Sequence, residues 1–344
     1  MTDLTRRQFL KLAGSAMGAA AVLPFADVAH VLAREAEPEV LPAPPASLGR
    51  IATWGIEIHS KPSLDSRLIR VTLQDEILPL HGQLVGQAVT PQNPIWYRTD
   101  GGLVHSSWVQ PVENILNTAL TGMVAKFWGE LTVPFSDSRL VPDPRVAVYF
   151  RLYYSSVYRV VATVLGKDDQ WWYRLQDGIT WGPGPYVPAA HIRRIDPMEL
   201  APISPFVSNK RIEVDLSNQI IVAYEDNRPV MASRVASGFG ANRTPPGRHV
   251  VLTKSPASRM TGGVGADFYD LPGVPFPTYF TPSMAGIHGT YWHNDYGRPR
   301  SHGCLNVPSP VARWFWRWTT PVAPYDAALY TTPRNTAATV INVA

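Results

Sequence analysis

One cysteine and two nearby histidine-containing segments are the residues of this 344-residue sequence best suited to covalent chemistry. Cys304 is the only cysteine, and it closes the segment Ser301-His302-Gly303-Cys304. A thiol attacks carbonyl carbon as its thiolate, so an imidazole that accepts the proton both activates the sulfur and stabilises it as an ion pair. The sequence therefore predicts a cysteine nucleophile beside a histidine base.

Three histidines are candidates for that base: His288, His293 and His302. His302 is two residues from Cys304, and an extended strand places residues at that spacing on one face about 7 Å apart. A histidine from a separate segment can approach the sulfur more directly. We therefore expect His288 to be the base, with the backbone carbonyl of Gly289 orienting its ring, and His302 to support it.

Gly303 has a separate expected role beside the nucleophile. Because it has no Cβ, the backbone can come close to an acyl carbonyl there. The N–H groups of Gly303 and Cys304 are candidates for an oxyanion hole, in which one lost donor typically costs about 3 kcal/mol of transition-state stabilisation.

These residues resemble the signature of the YkuD-type L,D-transpeptidases, in which His-Gly is followed by a spacer and then by Ser/Thr-His-Gly-Cys-x-Arg/Asn. The resemblance covers about residues 206–320 and includes Ser237-Gly238 and the turn at Thr244-Pro245-Pro246-Gly247. It implies a thiolate attack on the L-centred third residue of a peptidoglycan tetrapeptide stem, release of D-alanine and acyl transfer to an amine, giving 3→3 cross-links. It also implies covalent inhibition by carbapenems and no cofactor or metal.

The expected substrate contacts are residues around the two motifs. The predicted set is Ser301, Asn306, Tyr279, Tyr291, Trp292 and His293. Asn306 stands where many members of the family have arginine. For the aromatic residues, together with Phe280, lining of a cleft and simple core packing are equal alternatives.

Three other functions are alternatives; the third, a wall-binding protein, would depend on the two predicted β modules and leave Cys304 without a role. The histidines and Cys304 could be zinc ligands, because thiolate and imidazole suit that ion. The acyl-enzyme could be hydrolysed, which would make the protein an L,D-carboxypeptidase. The protein could also be a non-catalytic wall-binding protein.

The N-terminus predicts export. Arg6-Arg7 precedes an apolar stretch from Leu12 to Phe25, a pattern typical of a twin-arginine signal and too short to span a bilayer. We expect residues 1–33 to be the signal, residues 34–48 a Pro-rich linker, and the periplasm or cell wall the destination. No later apolar stretch reaches 18 residues, so no membrane span is expected after signal removal. The net charge of +4 without a basic run gives nucleic acid no support as a partner.

The remaining chain is predicted to be mainly β, because it has 33 prolines, 25 glycines and many short alternating runs. Ile95-Trp96-Tyr97-Arg98 and Trp171-Trp172-Tyr173-Arg174 begin a weak repeat, which resembles the SH3-like modules of bacterial cell-wall enzymes. The predicted modules are residues 49–113 and 118–197, and core packing is the favoured role of their aromatic pairs.

The catalytic domain is predicted at residues 206–344 as a β-sandwich-like fold with one or two short helices. Ile212, Val214 and Leu216 alternate along the first strand of an expected β-meander. A helix is expected after Ser309 as N-cap, with an apolar stripe that includes Val311, Phe315 and Trp318. This domain has to bring the His288 and Cys304 segments together.

Overall fold

The computed structural model describes residues 40–41, 47–90, 92–122, 126–176 and 184–344. The predicted export signal lies outside the described residues, as does most of the predicted linker. The helices that the structure describes include none long and apolar enough to cross a membrane.

The first part of the chain, module 1 (residues 48–112), is all β. Its strands and the short strand that precedes it are β1 (Val40–Leu41), β2 (Leu48–Ile51), β3 (Glu57–His59), β4 (Leu68–Val71), β5 (Ile77–Pro79), β6 (Gly82–Thr90), β7 (Asn93–Thr99), β8 (Gly102–His105) and β9 (Val109–Val112). They form one sheet in the order β1-β6-β7-β8-β3-β4 and another in the order β5-β2-β9. Residues Val40–Leu41 of the predicted linker thus pair with β6.

Module 2 (residues 127–194) follows. Its strands are β10 (Phe127–Leu131), β11 (Phe135–Ser138), β12 (Phe150–Tyr153), β13 (Val157–Leu165), β14 (Trp171–Gln176), β15 (Tyr186–Pro188) and β16 (Ile192–Arg194). Five of them form the sheet β15-β14-β13-β10-β16, and β11 pairs with β12.

The sequence repeat corresponds to matching elements in the two modules. In each one a strand with a buried Trp-Tyr pair is followed by a second strand, a short 3-10 helix (Ser106–Trp108 or Ala189–His191) and a third strand. Trp96, Tyr97, Trp172 and Tyr173 are at most 2% exposed, so these pairs pack in the interior of their modules.

The C-terminal domain (residues 210–343) contains the remaining strands and one α-helix among the described residues. They are β17 (Lys210–Asp215), β18 (Ile220–Glu225), β19 (Arg228–Arg234), β20 (Gly247–Val250), β21 (Thr253–Lys254), β22 (Ala257–Gly262), β23 (Tyr269–Pro275), β24 (Thr278–Tyr279), β25 (Gly286–Gly289), β26 (Leu305–Val307), α1 (Ser309–Trp318), β27 (Tyr330–Thr331) and β28 (Val340–Val343). Two sheets, β19-β18-β17-β28-β20 and β26-β25-β24-β21-β27, contribute to one core with α1. This agrees with the predicted mainly β, sandwich-like fold.

The helix begins at Ser309, one residue earlier than predicted. Ser309 was expected to be the N-cap, but the carbonyl of Pro308 accepts hydrogen bonds from the N–H groups of Val311 and Ala312, at 2.9 and 3.0 Å. Because the N-cap carbonyl accepts the first intrahelical bond, Pro308 is the cap and Ser309 the first helical residue. The helix buries Phe315 and Trp318 as expected.

Module 2 shares its interior with the C-terminal domain. Trp128 and Ile195 belong to the same buried apolar cluster as Ile212 of β17. The Trp128 indole N–H also donates to the carbonyl of Tyr325 at 2.7 Å. Truncating a buried tryptophan to alanine typically lowers the free energy of unfolding by about 3–5 kcal/mol. Trp128 should therefore contribute by about this amount to the stability of the contact between module 2 and the C-terminal domain.

Candidate active site

Two adjacent parallel strands position the cysteine and the predicted base. β25 pairs with β26 in the register Ile287↔Leu305 and His288↔Asn306. Partners in a parallel pair lie on the same face of the sheet, and residues two apart along a strand return to that face. Cys304 is the bend residue immediately before β26 and two residues before Asn306, so it lies at the end of the strand that pairs with the His288 strand.

The turn that carries the nucleophile is held by Ser301. The Ser301 hydroxyl donates to the carbonyl of Cys304 at 2.5 Å and accepts the N–H of Gly303 at 3.1 Å. Gly303 has φ +113°, a left-handed conformation that favours glycine. Ser301 was predicted to contact substrate, but the structure engages its hydroxyl inside this turn.

The same contacts leave only one of the two N–H groups that were expected to form the oxyanion hole free to bind an oxygen. The Gly303 N–H is already bonded to Ser301, whereas the described residues provide no acceptor for the N–H of Cys304. A Cβ on Gly303 would meet no atom closer than 3.7 Å, so the positive φ, and not a close contact, requires glycine here. Cys304 N–H is the donor that the turn leaves available.

The thiol of Cys304 is partly buried, and among the described residues its hydrogen-bond acceptor is the carbonyl of Met284, at 3.8 Å. Burial raises the pKa of Cys304 to about 11, although a backbone hydrogen bond from Gly286 acts in the opposite direction. Burial raises the pKa of Tyr269 and Tyr279, and a charge on Cys304 would act in the same direction, which puts both phenols within electrostatic range of the sulfur.

His288 has a defined tautomer. Its Nδ1 is 2.9 Å from the carbonyl of Gly289, which can only accept, so Nδ1 carries the proton and Nε2 keeps its lone pair. Burial lowers the pKa of His288 to about 4. The imidazole is therefore neutral at pH 7, with an unprotonated nitrogen that can accept a proton.

These pKa values change one expectation from the sequence. An ion pair of thiolate and imidazolium was expected, but burial favours the neutral forms of both Cys304 and His288 between about pH 4 and about pH 11. Proton transfer would then accompany attack on the carbonyl and would not precede it. A neutral imidazole with a free Nε2 lone pair is chemically able to act as a general base.

The other two histidines differ from His288 in burial and in their hydrogen bonds. His302 is exposed, and its ring centroid is 4.9 Å from that of Tyr269. His293 is buried, accepts the backbone N–H of Asp295 on Nδ1 at 3.2 Å, and places Nε2 3.1 Å from the side-chain amide of Asn306. No group of three His, Cys, Asp or Glu side chains in the described part of the chain is arranged to hold a metal ion.

The predicted aromatic residues separate into two groups. Trp292 is partly exposed beside His288, with ring centroids 5.9 Å apart, and Tyr279 is electrostatically coupled to Cys304. Phe280 is in the core. Tyr291 is 2% exposed, donates its hydroxyl to the carbonyl of Pro272 at 2.7 Å and stacks on Tyr153 of module 2. Tyr291 therefore packs at a domain boundary.

Two residues near the thiol were not expected from the sequence. Tyr269 lies at the start of β23, and Met284 supplies the carbonyl nearest to the sulfur. Neither is part of a recognisable motif, since both are placed by the hairpin β22–β23 and by the turn before β25.

Comparison with known proteins gives one family match. Residues 209–331 match the model of the L,D-transpeptidase catalytic domain, YkuD. The match lies inside the predicted domain at residues 206–344 and contains His288, Cys304 and the other residues of the candidate site. No curated protein gave a significant match.

Several solved structures are similar to part of the chain. An Enterococcus faecium L,D-transpeptidase mutant is 25% identical, with 40% of this chain and 51% of that chain covered and a TM-score of 0.31. The catalytic domain from the E. faecium enzyme acylated by ertapenem is 24% identical, with 40% and 97% covered and a TM-score of 0.30. An L,D-transpeptidase from Xylanimonas cellulosilytica is 23% identical, with 40% and 61% covered and a TM-score of 0.28. The chain spans about half the length of the first of these structures.

Proposed function

We propose that this protein is an exported peptidoglycan L,D-transpeptidase, a cysteine acyltransferase with Cys304 as nucleophile and His288 as general base. The observation that carries the proposal is that Cys304 immediately precedes β26, which pairs with β25 at His288, and that Gly289 holds His288 as the Nδ1–H tautomer. The family match at residues 209–331 supports the same reaction class.

In the proposed acylation step, Nε2 of His288 takes the proton from the thiol of Cys304 while sulfur bonds to the carbonyl carbon of the third, L-centred residue of a tetrapeptide stem. The negative charge on the carbonyl oxygen is stabilised by the N–H of Cys304. Collapse of this tetrahedral intermediate breaks the peptide bond, and the imidazolium gives its proton to the amine of the departing D-alanine. A thioester remains on Cys304.

In the proposed transfer step, an acceptor amine of a neighbouring stem attacks the thioester and loses a proton to His288. Collapse expels the sulfur, which regains that proton, and a 3→3 cross-link is the product. Trp292 and Tyr279 are the aromatic residues proposed to shield the thioester from water. Water attacking in place of the amine would give the L,D-carboxypeptidase reaction.

The predicted export through the twin-arginine route places this chemistry in the periplasm or cell wall, where peptide stems occur. We also propose that a carbapenem acylates Cys304, because the strained lactam carbonyl offers the same electrophile to the thiol. Modules 1 and 2 are proposed to support the catalytic domain through the contacts that they share with it.

The proposal is tested by intact-mass spectrometry of the full mature chain after incubation with a tetrapeptide stem, with and without an acceptor peptide. We expect loss of D-alanine, a transient adduct on Cys304 and a cross-linked dimer. The variant Cys304→Ser should give no adduct, whereas His302→Ala, at an exposed residue, should keep adduct formation within about tenfold.

The outcomes separate the alternatives. Hydrolysed tripeptide without dimer, at any acceptor concentration, would make the protein a carboxypeptidase. If neither a stem nor a carbapenem formed an adduct, and the intact protein bound to purified wall, the protein would be a non-catalytic wall-binding protein. Stoichiometric zinc in active protein that is lost with activity would favour the metal site.

A further inference from the structure

The hydrogen bonds of His293 define where its proton lies. Nδ1 accepts the backbone N–H of Asp295 at 3.2 Å, so a neutral ring carries its proton on Nε2. Burial lowers the pKa of His293 to about 3, with the nearby Arg300 acting in the same direction, so the ring is neutral. Nε2–H then requires an acceptor.

That acceptor has to be the side-chain oxygen of Asn306. The structure places the amide nitrogen of Asn306 3.1 Å from Nε2 of His293 and leaves the amide oxygen buried without a partner among the described residues. The two ends of an asparagine amide are distinguished by their hydrogen bonds, and a half-turn of this amide satisfies Nε2–H. The amide NH2 then occupies the buried position that has no partner.

This NH2 group lies on the reactive face of the sheet. Asn306 is the register partner of His288 and follows Cys304 by two residues, about 7 Å along an extended strand. The side chain is 2% exposed, so bulk water does not satisfy the NH2 group. The hydrogen bond with His293 therefore fixes the orientation of the Asn306 amide, next to the turn that carries Cys304.

The segment that carries His293 is in turn held by module 1. The carboxylate of Asp295, which is 1% exposed, accepts the hydroxyl of Ser107 at 2.9 Å and hydrogen bonds from Arg298 and Arg300. The backbone N–H of Asn294 donates to the carbonyl of Ser107 at 2.9 Å.

A cation–π contact closes the same interface. The guanidinium of Arg300 lies over the ring of Trp108, 3.9 Å from its centroid. Module 1 therefore contacts the stretch between His288 and Cys304 at several points.

We propose that His293 is a positioning residue that fixes the Asn306 amide and so holds β26 and the adjoining Cys304 in place for attack on the acyl donor, and that module 1 holds His293 in place through Ser107 and Asp295. This inference rests on the proposed acyl transfer for its last step. Its first step, the tautomer of His293, is independent of any activity.

The first arm of the test is nuclear magnetic resonance of the full mature chain labelled with ¹⁵N-histidine. Two-bond proton–nitrogen correlations should show His293 as a neutral ring protonated on Nε2 across neutral pH. A ring protonated on Nδ1, or a charged ring, would overturn the inference whether or not the protein acylates.

The second arm compares two rates at Cys304: acylation by a carbapenem and alkylation by iodoacetamide. His293→Phe removes the donor to Asn306, and His293→Gln retains a donor NH2 group. We expect acylation to fall at least tenfold in the first variant and to stay within threefold in the second, with alkylation within twofold in both. If the acylation rate, the alkylation rate and the thermal stability all fell in these variants, His293 would have a structural role only.

The third arm tests the link to module 1 with Ser107→Ala, matched by Ser138→Ala, a buried serine of module 2 that bonds the Phe150 carbonyl. Ser107→Ala should lower acylation at least fivefold and shift the His293 resonances, and Ser138→Ala should do neither. If the two variants had the same effect on the acylation rate and on the His293 resonances, the proposed link between module 1 and His293 would be wrong. A wild-type protein without any adduct would refute the proposed function and the substrate step, while the first arm would still decide the tautomer.

Discussion

Raising the pH from about 6 to about 10 should increase the rate at which iodoacetamide alkylates Cys304 about tenfold per pH unit, without a plateau. The thiolate is the reacting species. Burial raises the pKa of Cys304 to about 11 and lowers that of His288 to about 4, so the thiolate is a minor species throughout this range. If the two pKa values were in the opposite order, a thiolate–imidazolium pair would dominate and the rate would be constant.

The expected magnitude follows from the two pKa values. At pH 7 a thiol with a pKa of about 11 is ionised to about one part in 10⁴, whereas a free cysteine with a pKa near 8.5 is ionised to about 3%. The thiolate of Cys304 is thus about 300-fold scarcer. A more basic thiolate is the better nucleophile, which restores about tenfold. Alkylation of Cys304 at pH 7 should therefore be about 30-fold slower than that of free cysteine.

Intact-mass spectrometry over time measures this rate, and Cys304→Ser shows the background. His288→Ala should keep the same dependence of alkylation on pH, because a neutral imidazole does not set the thiolate population. The same variant should lose about 10²–10⁴-fold in acylation by a carbapenem, since that step needs the base. A wild-type rate that is flat between about pH 6 and about pH 9, or faster than free cysteine at pH 7, would refute the neutral resting state.

Two further predictions concern the turn at the nucleophile and a buried lysine. Gly303→Ala should lower the free energy of unfolding in urea by about 1–3 kcal/mol, because φ at this position is +113° although the space for a Cβ is open. It should also lower the acylation rate at least tenfold. An unchanged urea midpoint would contradict the expected backbone strain. Burial lowers the pKa of Lys254 to about 7, so from about pH 7 to the ordinary lysine pKa the unfolded chain binds more protons and stability should rise with pH. Calorimetry should show this rise in the wild type and in the exposed control Lys167→Met, but not in Lys254→Met; an identical rise in all three would exclude Lys254 as its source.

The sequence was sufficient where local pattern determines the structure. The alternation of Ile212 and Val214 predicted β17 and its buried face, and the helical spacing of Phe315 and Trp318 predicted α1. The motif around Cys304 predicted the family match. In each case the pattern lies within one short segment, so the types and spacing of its residues are enough to predict the structure or the family.

The same patterns do not determine features that depend on tertiary packing. Ser107 and Asp295 are 188 residues apart in sequence, and each is an ordinary polar residue within its own segment. The neutral state of Cys304 and His288 follows from burial, which no motif encodes. Tyr269 is within electrostatic range of Cys304 through its position in the hairpin β22–β23, which is remote in sequence from the cysteine motif.

A buried arginine gives the strongest argument about what the N-terminal modules do. Arg50 of module 1 is 1% exposed, pairs with Asp75 at 2.7 Å and lies 4.2 Å from the ring centroid of Tyr153 in module 2. It also donates to the backbone carbonyl of Tyr291, three residues after His288.

Removing a guanidinium from water is costly unless its donors are satisfied. Modules that only anchored the catalytic domain to the wall would not require a buried charge at the junction of the three domains. The placement of Arg50 favours modules that hold the His288 segment in position, so a C-terminal domain expressed without them should lose acylation activity even where it remains folded.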